Sequence, residues 1–192
     1  SYGSLVTSWD VSATSQDKVK ATLYNDPKTY GYQGYYILAI SGAGNMKDWT
    51  SSSYVPWYSS YSSKITSVTI EDGVTSIGSD AFYYCSSLTF VEIPNSVTSI
   101  GDGALIDIKP ITEITIPDSV TAIGDFAFYG CASLEGVGGF KFSKVTELKD
   151  YTFSGCASLY EIELPVNLKS VGRSAFYKCA QLSTINLAAT TM

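Results

Sequence analysis

The sequence predicts a β-rich solenoid of short stacked coils, preceded by a separate β module. Three observations carry that expectation. A pattern recurs at nearly fixed intervals from Ile65 to the end of the chain, apolar side chains within each unit alternate at period two, and residues 1–64 repeat nothing while holding all three tryptophans.

In the front segment, Val19 to Tyr24 and Tyr35 to Ser41 read as strands, with the turn-rich stretch NDPKTYGYQG between them as a hairpin or longer loop. Residues 1–64 also carry nine of the fifteen tyrosines. An open solenoid end exposes apolar surface and unpaired strand groups, so the expected role of this segment is an aromatic β cap. The alternative is a sugar-binding platform of Trp9, Trp49 and Trp57, since flat aromatic faces stack on pyranose rings.

The repeats span residues 65–192 and open on ITSVTI at Ile65, LTFVEI at Leu88, ITEITI at Ile111, LEGVGG at Leu134, LYEIEL at Leu159 and LSTINL at Leu182, offsets of 23, 23, 23, 25 and 23. That makes five full units and a terminal strand. Val68 and Ile70, Val91 and Ile93, Ile114 and Ile116, and Ile162 and Leu164 alternate with polar residues, the pattern of a strand with one face inward. Each unit exposes a line of apolar side chains that it cannot bury alone, and stacking joins the lines into one core. The strands are expected to form one continuous parallel ladder, one strand per coil, with Pro94, Pro117 and Pro165 ending three of them. A shorter second strand follows, as in VTSIG, and then an aromatic stretch such as DAFYYCSSL, expected as a 3-10 turn.

Gly78, Gly101, Gly124 and Gly172 stand after the second strands and are expected to be left-handed corners. Asp102, Asp125 and Asp150 lie just before aromatic stretches and are expected to cap the turns within their own coils. Cys85, Cys131, Cys156 and Cys179 share one repeat position, which Ile108 fills in the second unit. A site that takes either Cys or Ile is apolar, so the expected state is a column of buried free thiols, with bridges between neighbouring coils as the alternative. The fourth unit carries two extra residues within Gly136 to Ser143, where a bulge is expected.

Segments such as LTFVEIPNSVTSIGDGA and ITEITIPDSVTAIGDFAFYGCASL make Ile65 to Leu187 resemble the BspA type, or Treponema pallidum type, of leucine-rich repeat. The stretch YILAISGAGNMKDW followed by PWYSSYSSKI is similar to the segment often found ahead of the first repeat in that family. The resemblance implies a right-handed leucine-rich-repeat solenoid. It also implies a secreted or surface-anchored bacterial protein of the adhesion or host-contact kind. Ser1 to Ser4 do not read as a signal segment, so an exported chain is expected to have lost its leader.

Composition removes several classes of function. No histidine is present, which excludes imidazole as base, metal ligand or pH switch. The net charge is −6 and Arg173 is the only arginine, so no basic patch exists for nucleic acid, and no apolar run is long enough to span a bilayer as a helix. Solubility rests instead on 28 serines and 18 threonines. No cofactor motif is read.

In a parallel ladder the outward positions line up in lanes. One reads Ser67, Phe90, Glu113, Gly136, Glu161, Thr184, and the next Thr69, Glu92, Thr115, Gly138, Glu163, Asn186, with Glu135 and Tyr160 at the margin. The lanes hold four glutamates and neither Lys nor Arg. Phe90, Glu92, Glu113, Tyr160, Glu161 and Glu163 are therefore the candidate protein-binding face, for a host or bacterial surface protein. Glu161 and Glu163 lie about 7 Å apart at strand rise, a spacing found in glycosidase pairs. An open strand face excludes no water, and it supplies oxygen ligands from one side only, so neither catalysis nor a metal site is expected. The terminal strand, followed only by AATTM, leaves an edge expected either to pair weakly with another molecule, in an otherwise monomeric chain, or to be covered in a longer parent chain, where the repeats would act as a structural spacer of a larger surface protein.

Overall fold

In the computed structural model, residues 2–28 and 34–187 are described. The centre of the NDPKTYGYQG connection and the AATTM tail lie outside them. Strands β1 (Leu5–Asp10), β2 (Lys18–Asn25) and β3 (Tyr36–Asn45) form an antiparallel meander, with Trp9 opposite Ala21 and Leu23 opposite Leu38. The meander is joined to the repeats by hydrogen bonds. β3 pairs in parallel with β4 (Ile65–Ile70), Leu38 opposite Val68, and its far end pairs with β5 (Val74–Ile77), Gly44 opposite Val74. One buried cluster runs across residue 64, from Val11 to Leu164.

Each coil then contributes one strand to each of two lanes. The first lane holds β4, β6 (Phe90–Glu92), β8 (Glu113–Thr115), β10 (Gly136–Gly138), β12 (Glu161–Leu164) and β14 (Thr184–Leu187). The second holds β5, β7 (Ser99–Ile100), β9 (Ala122–Ile123), β11 (Glu147–Leu148) and β13 (Ser170–Val171). The inward residues are buried as the alternation requires, with Val68, Ile114, Ile116 and Ile162 nearly inaccessible and Ile93 only partly covered.

The continuous ladder is a correction. β4 pairs with β6, β8 with β10, and β12 with β14, while β6 with β8 and β10 with β12 form no ladder. The first break separates β6 from β8, and the second falls at the coil with two extra residues. Those extra residues fold into a 3-10 turn, Phe140–Phe142, rather than a simple bulge, and Phe140 is fully buried.

The aromatic stretches are also built differently from expectation. They form no continuous 3-10 helix but a ribbon of turns in which Ala81, Tyr83 and Cys85 N–H groups close i→i−3 bonds to Gly78, Asp80 and Phe82 carbonyls at 3.1 to 3.2 Å, while the alternate N–H groups donate to the next coil: Asp80 to Asp102 O, Phe82 to Ala104 O and Tyr84 to Ile106 O, at 2.8 to 3.0 Å. Alternation is possible because two positions per coil take positive φ. Asp80, Gly103, Phe126, Tyr151 and Ser174 occupy one, and Tyr84, Asp107, Gly130, Gly155 and Lys178 the other. Hence the expected left-handed corners are misplaced. Gly78, Gly101, Gly124 and Gly172 are glycine because coils touch there: a Cβ on Gly124 would collide with the backbone N and carboxylate of Asp102, and one on Gly78 with Lys47 O.

The aspartates act between coils rather than within them. Asp102 Oδ1 accepts the Asp125 N–H at 2.8 Å, Asp125 Oδ1 that of Asp150 at 3.0 Å, and Asp150 Oδ1 that of Arg173 at 2.7 Å. The Arg173 N–H, followed by its guanidinium, holds the Asp150 carboxyl below the usual range. Inside the ribbon, Phe128, Phe153 and Phe176 stack with centroids 5.1 and 5.8 Å apart, and Trp57 stacks on Phe82 at the other end. All four cysteines are free thiols, three of them fully buried and Cys179 half-buried. The Cys131, Cys156 and Cys179 thiols donate to Leu105, Phe128 and Phe153 carbonyls at 3.1 to 3.3 Å.

Candidate functional site

The outward lanes stand in the register read from the sequence. Ser67 lies beside Phe90 and Thr69 beside Glu92; Glu113 lies beside Gly136 and Thr115 beside Gly138; Glu161 lies beside Thr184 and Glu163 beside Asn186. Phe90 is 52% exposed and Tyr160 54%, high values for large apolar or aromatic rings on a strand face. Glu92, Glu113, Glu161 and Glu163 are all exposed.

The second ladder break opens a groove of about 460 Å³ between β8–β10 and β12, lined by Glu113, Glu135, Tyr160, Glu161 and Glu163 with the Gly136–Gly138 backbone as its floor. Gly136 has open space where a side chain would stand, and Gly138 meets only Thr115 and Ile114 at ordinary contact or slightly tighter. The groove thus exists because one coil lacks outward side chains where its neighbours carry carboxylates. A second groove, lined by Phe90, Glu92, Glu113 and Thr115, follows the first break.

One feature of the face is absent from the lanes themselves. Lys141, carried by the 3-10 turn of the insertion, pairs with Glu163 at 2.9 Å, so the face is not free of bases. Its partial exposure limits that pair to about 0–1 kcal/mol. Glu161 accepts a hydrogen bond from Asn186 Nδ2 at 2.8 Å. The only sequence signal for Lys141 was the length of its coil. As a chemical site, the face has one carboxylate of the close pair held by an amide and the other by an ammonium, both open to water. That arrangement suits recognition better than proton transfer.

Trp9, Trp49 and Trp57 do not form an exposed platform, which corrects that expectation. Trp57 is fully buried, donates its indole N–H to Ala81 O at 2.8 Å and meets Trp49 edge-on, while Trp49 is only 6% exposed. Trp9 packs against Trp57 and Tyr61. Trp49 and Trp57 have no free face for a sugar because they fill the first coil's end of the core, whereas Trp9 is only partly buried and also lines a surface groove of about 420 Å³ with Asp10, Lys18 and Lys20. Among the described residues no cluster of metal-ligating side chains occurs, and no helix is long and apolar enough to cross a membrane.

A family model for the BspA type leucine rich repeat region matches residues 54–138 and 139–192, in six copies. No curated protein matches the sequence. Among solved structures, the chain is similar to a leucine-rich repeat protein from Bacteroides ovatus, at 27% identity and a TM-score of 0.51 over 85% of this chain and 51% of that one. It is also similar in fold to the T. pallidum leucine-rich repeat protein, at 18% identity and a TM-score of 0.50 over 90% and 91% of the two chains. A leucine rich cell surface protein from Faecalibacterium prausnitzii shows 26% identity and a TM-score of 0.49 over 71% of this chain and 44% of that one. The chain therefore spans about half the length of the Bacteroides protein and less than half of the Faecalibacterium one.

Proposed function

Since the chain belongs to the BspA-type leucine-rich repeat family, we propose that it is a non-enzymatic recognition protein of the bacterial surface or medium, binding a host or bacterial surface protein through its first-lane sheet face. Residues 1–64 serve as the cap that closes the apolar end of the coils. The observation that carries this reading is the pairing of two exposed aromatic anchors, Phe90 and Tyr160, with Glu92, Glu113, Glu161 and Glu163 on one face. Aromatic side chains supply buried area at an interface, and the carboxylates attract a basic partner of opposite charge and raise its association rate. The grooves at the ladder breaks give that face relief into which a partner's side chains fit.

The test is binding to a panel of extracellular-matrix and bacterial surface proteins, comparing the native chain with one carrying Lys at Glu92, Glu113, Glu161 and Glu163. Charge reversal is expected to weaken the best binder at least tenfold, mainly through its on-rate at low salt. Equal affinity of the two chains would remove this face from consideration.

A further inference from the structure

The groove at the second ladder break differs from the rest of the first lane in three respects, and it lies between interior coils. First, its floor is bare. Gly136 and Gly138 take the outward positions that Glu113 and Thr115 hold one coil earlier, and a Cβ on Gly136 would meet nothing within 4 Å. Gly136 has no positive φ, so its backbone does not require glycine. The groove of about 460 Å³ stays open because a position that accepts a side chain carries none.

Second, the groove holds acceptors that the chain itself leaves unused. Of its four carboxylates, Glu163 is paired with Lys141 and Glu161 accepts a hydrogen bond from Asn186. The carboxylates of Glu113 and Glu135 have no hydrogen bond or ion pair among the described residues. Because β10 and β12 form no ladder, main-chain groups of both strands also face the gap without ladder partners. Lys141 neutralises one of the four carboxylates, and three negative charges remain.

Third, one wall is aromatic. The Tyr160 ring is exposed and stacks on no other ring among the described residues, so a face is free beside the carboxylates. Glutamates alone would attract any cation, and the tyrosine and the shape of the groove narrow the choice. A metal ion needs oxygens converging from several directions, and no cluster of metal-ligating side chains occurs among the described residues. A lysine ammonium is a compact, strongly hydrated point charge. A guanidinium is planar, always charged, donates five N–H groups in a fixed fork and stacks on aromatic faces.

We infer that this groove is the subsite for an arginine side chain of the protein partner. Its guanidinium forks onto the carboxylates of Glu113 and Glu135 and stacks against Tyr160, and its apolar stem lies over Gly136 and Gly138. This rests on the first-lane face being the recognition surface, and it names what that surface reads: a basic segment with arginine, rather than lysine, at the point of contact.

The probes are three capped tripeptides, Gly-Arg-Gly, Gly-Lys-Gly and Gly-citrulline-Gly, the last matching arginine in shape but uncharged. Added to isotope-labelled chain and followed by NMR, the arginine peptide is expected to shift the Gly136 and Gly138 amide signals saturably. It should bind about fivefold or more tighter than the lysine peptide, and the citrulline peptide should leave the signals unmoved. Glu113→Gln with Glu135→Gln is expected to weaken the arginine peptide about tenfold or more. Gly136→Leu fills the groove without a clash, and should abolish binding while the circular dichroism and the urea midpoint stay unchanged. No shift at millimolar arginine peptide, equal affinity for arginine and lysine, or binding indifferent to Gly136→Leu would overturn the proposal. The groove and the face fail separately. Partner binding lost on charge reversal, without selection of the arginine peptide, would keep the face and refute the groove. Selection of the arginine peptide with a partner indifferent to charge reversal would keep the groove as an arginine site and refute the face.

Discussion

The buried thiols make a prediction about alkaline stability whose sign and size follow from the structure. Burial in the apolar column pushes Cys85 and Cys131 from an ordinary thiol value of 9.0 up to about 12. A thiol whose folded pKa is raised stays protonated in the native state while the unfolded chain ionises. The stabilisation it provides is therefore complete below pH 9 and is lost as pH rises from about 9 toward 12. Between pH 9 and 10 the loss is about 1 kcal/mol per thiol, or about 2 kcal/mol for the pair. The perturbation is Cys85→Val with Cys131→Val, near-isosteric changes at a position where Ile108 is fully buried. Urea unfolding followed by tryptophan fluorescence at pH 8, 9 and 10, in reductant, should show the native chain losing about 2 kcal/mol more than the double variant over the last step. Equal losses in the two chains would mean that these thiols titrate as if in water, and would refute a sealed column.

Further consequences concern the contacts between coils. Phe153→Ala removes a fully buried ring that stacks between Phe128 and Phe176 and meets Phe140 edge-on, and should destabilise the chain by about 3–5 kcal/mol in urea unfolding. Gly124→Ala, which drives a methyl group into Asp102, should cost about 1–3 kcal/mol by the same assay, although the glycine's φ is ordinary. Ser174→Gly, at φ 54°, relieves a left-handed backbone and should raise stability by up to about 1 kcal/mol. Against a thiol reagent, Cys179 should react first in the native state, since it alone of the four is half-buried.

What the sequence reveals here is periodicity, and what it conceals is the contact between periods. The lanes were readable because a strand's side chains alternate strictly, so Val68, Ile114 and Ile162 had to point inward once Ser67, Glu113 and Glu161 pointed out. The 23-residue offset then fixed which residues would be neighbours across coils, and the observed pairs share it, as Phe90 beside Ser67 and Thr184 beside Glu161. The glycine positions were visible, but not their cause: a single coil cannot show that Gly124 faces the backbone of Asp102 in the coil before it. The same blindness applies to the aspartates, whose partners lie a whole coil away, and to β1, which LVTSWD does not announce by alternation. Lys141 reached the candidate face through an insertion whose direction no repeat pattern specifies. The tryptophans illustrate the converse case, where composition suggested a surface and packing required a plug.

The central claim is that recognition takes place on the first-lane sheet face. Hydrogen–deuterium exchange of the chain, alone and saturated with the protein that binds it best, tests this most directly. The account predicts added protection across β8, β10 and β12, where the grooves leave strand groups without ladder partners, and little change in the turn ribbon on the other side of the coils. Protection confined to the ribbon or to residues 1–64, with β8, β10 and β12 unchanged, would contradict it.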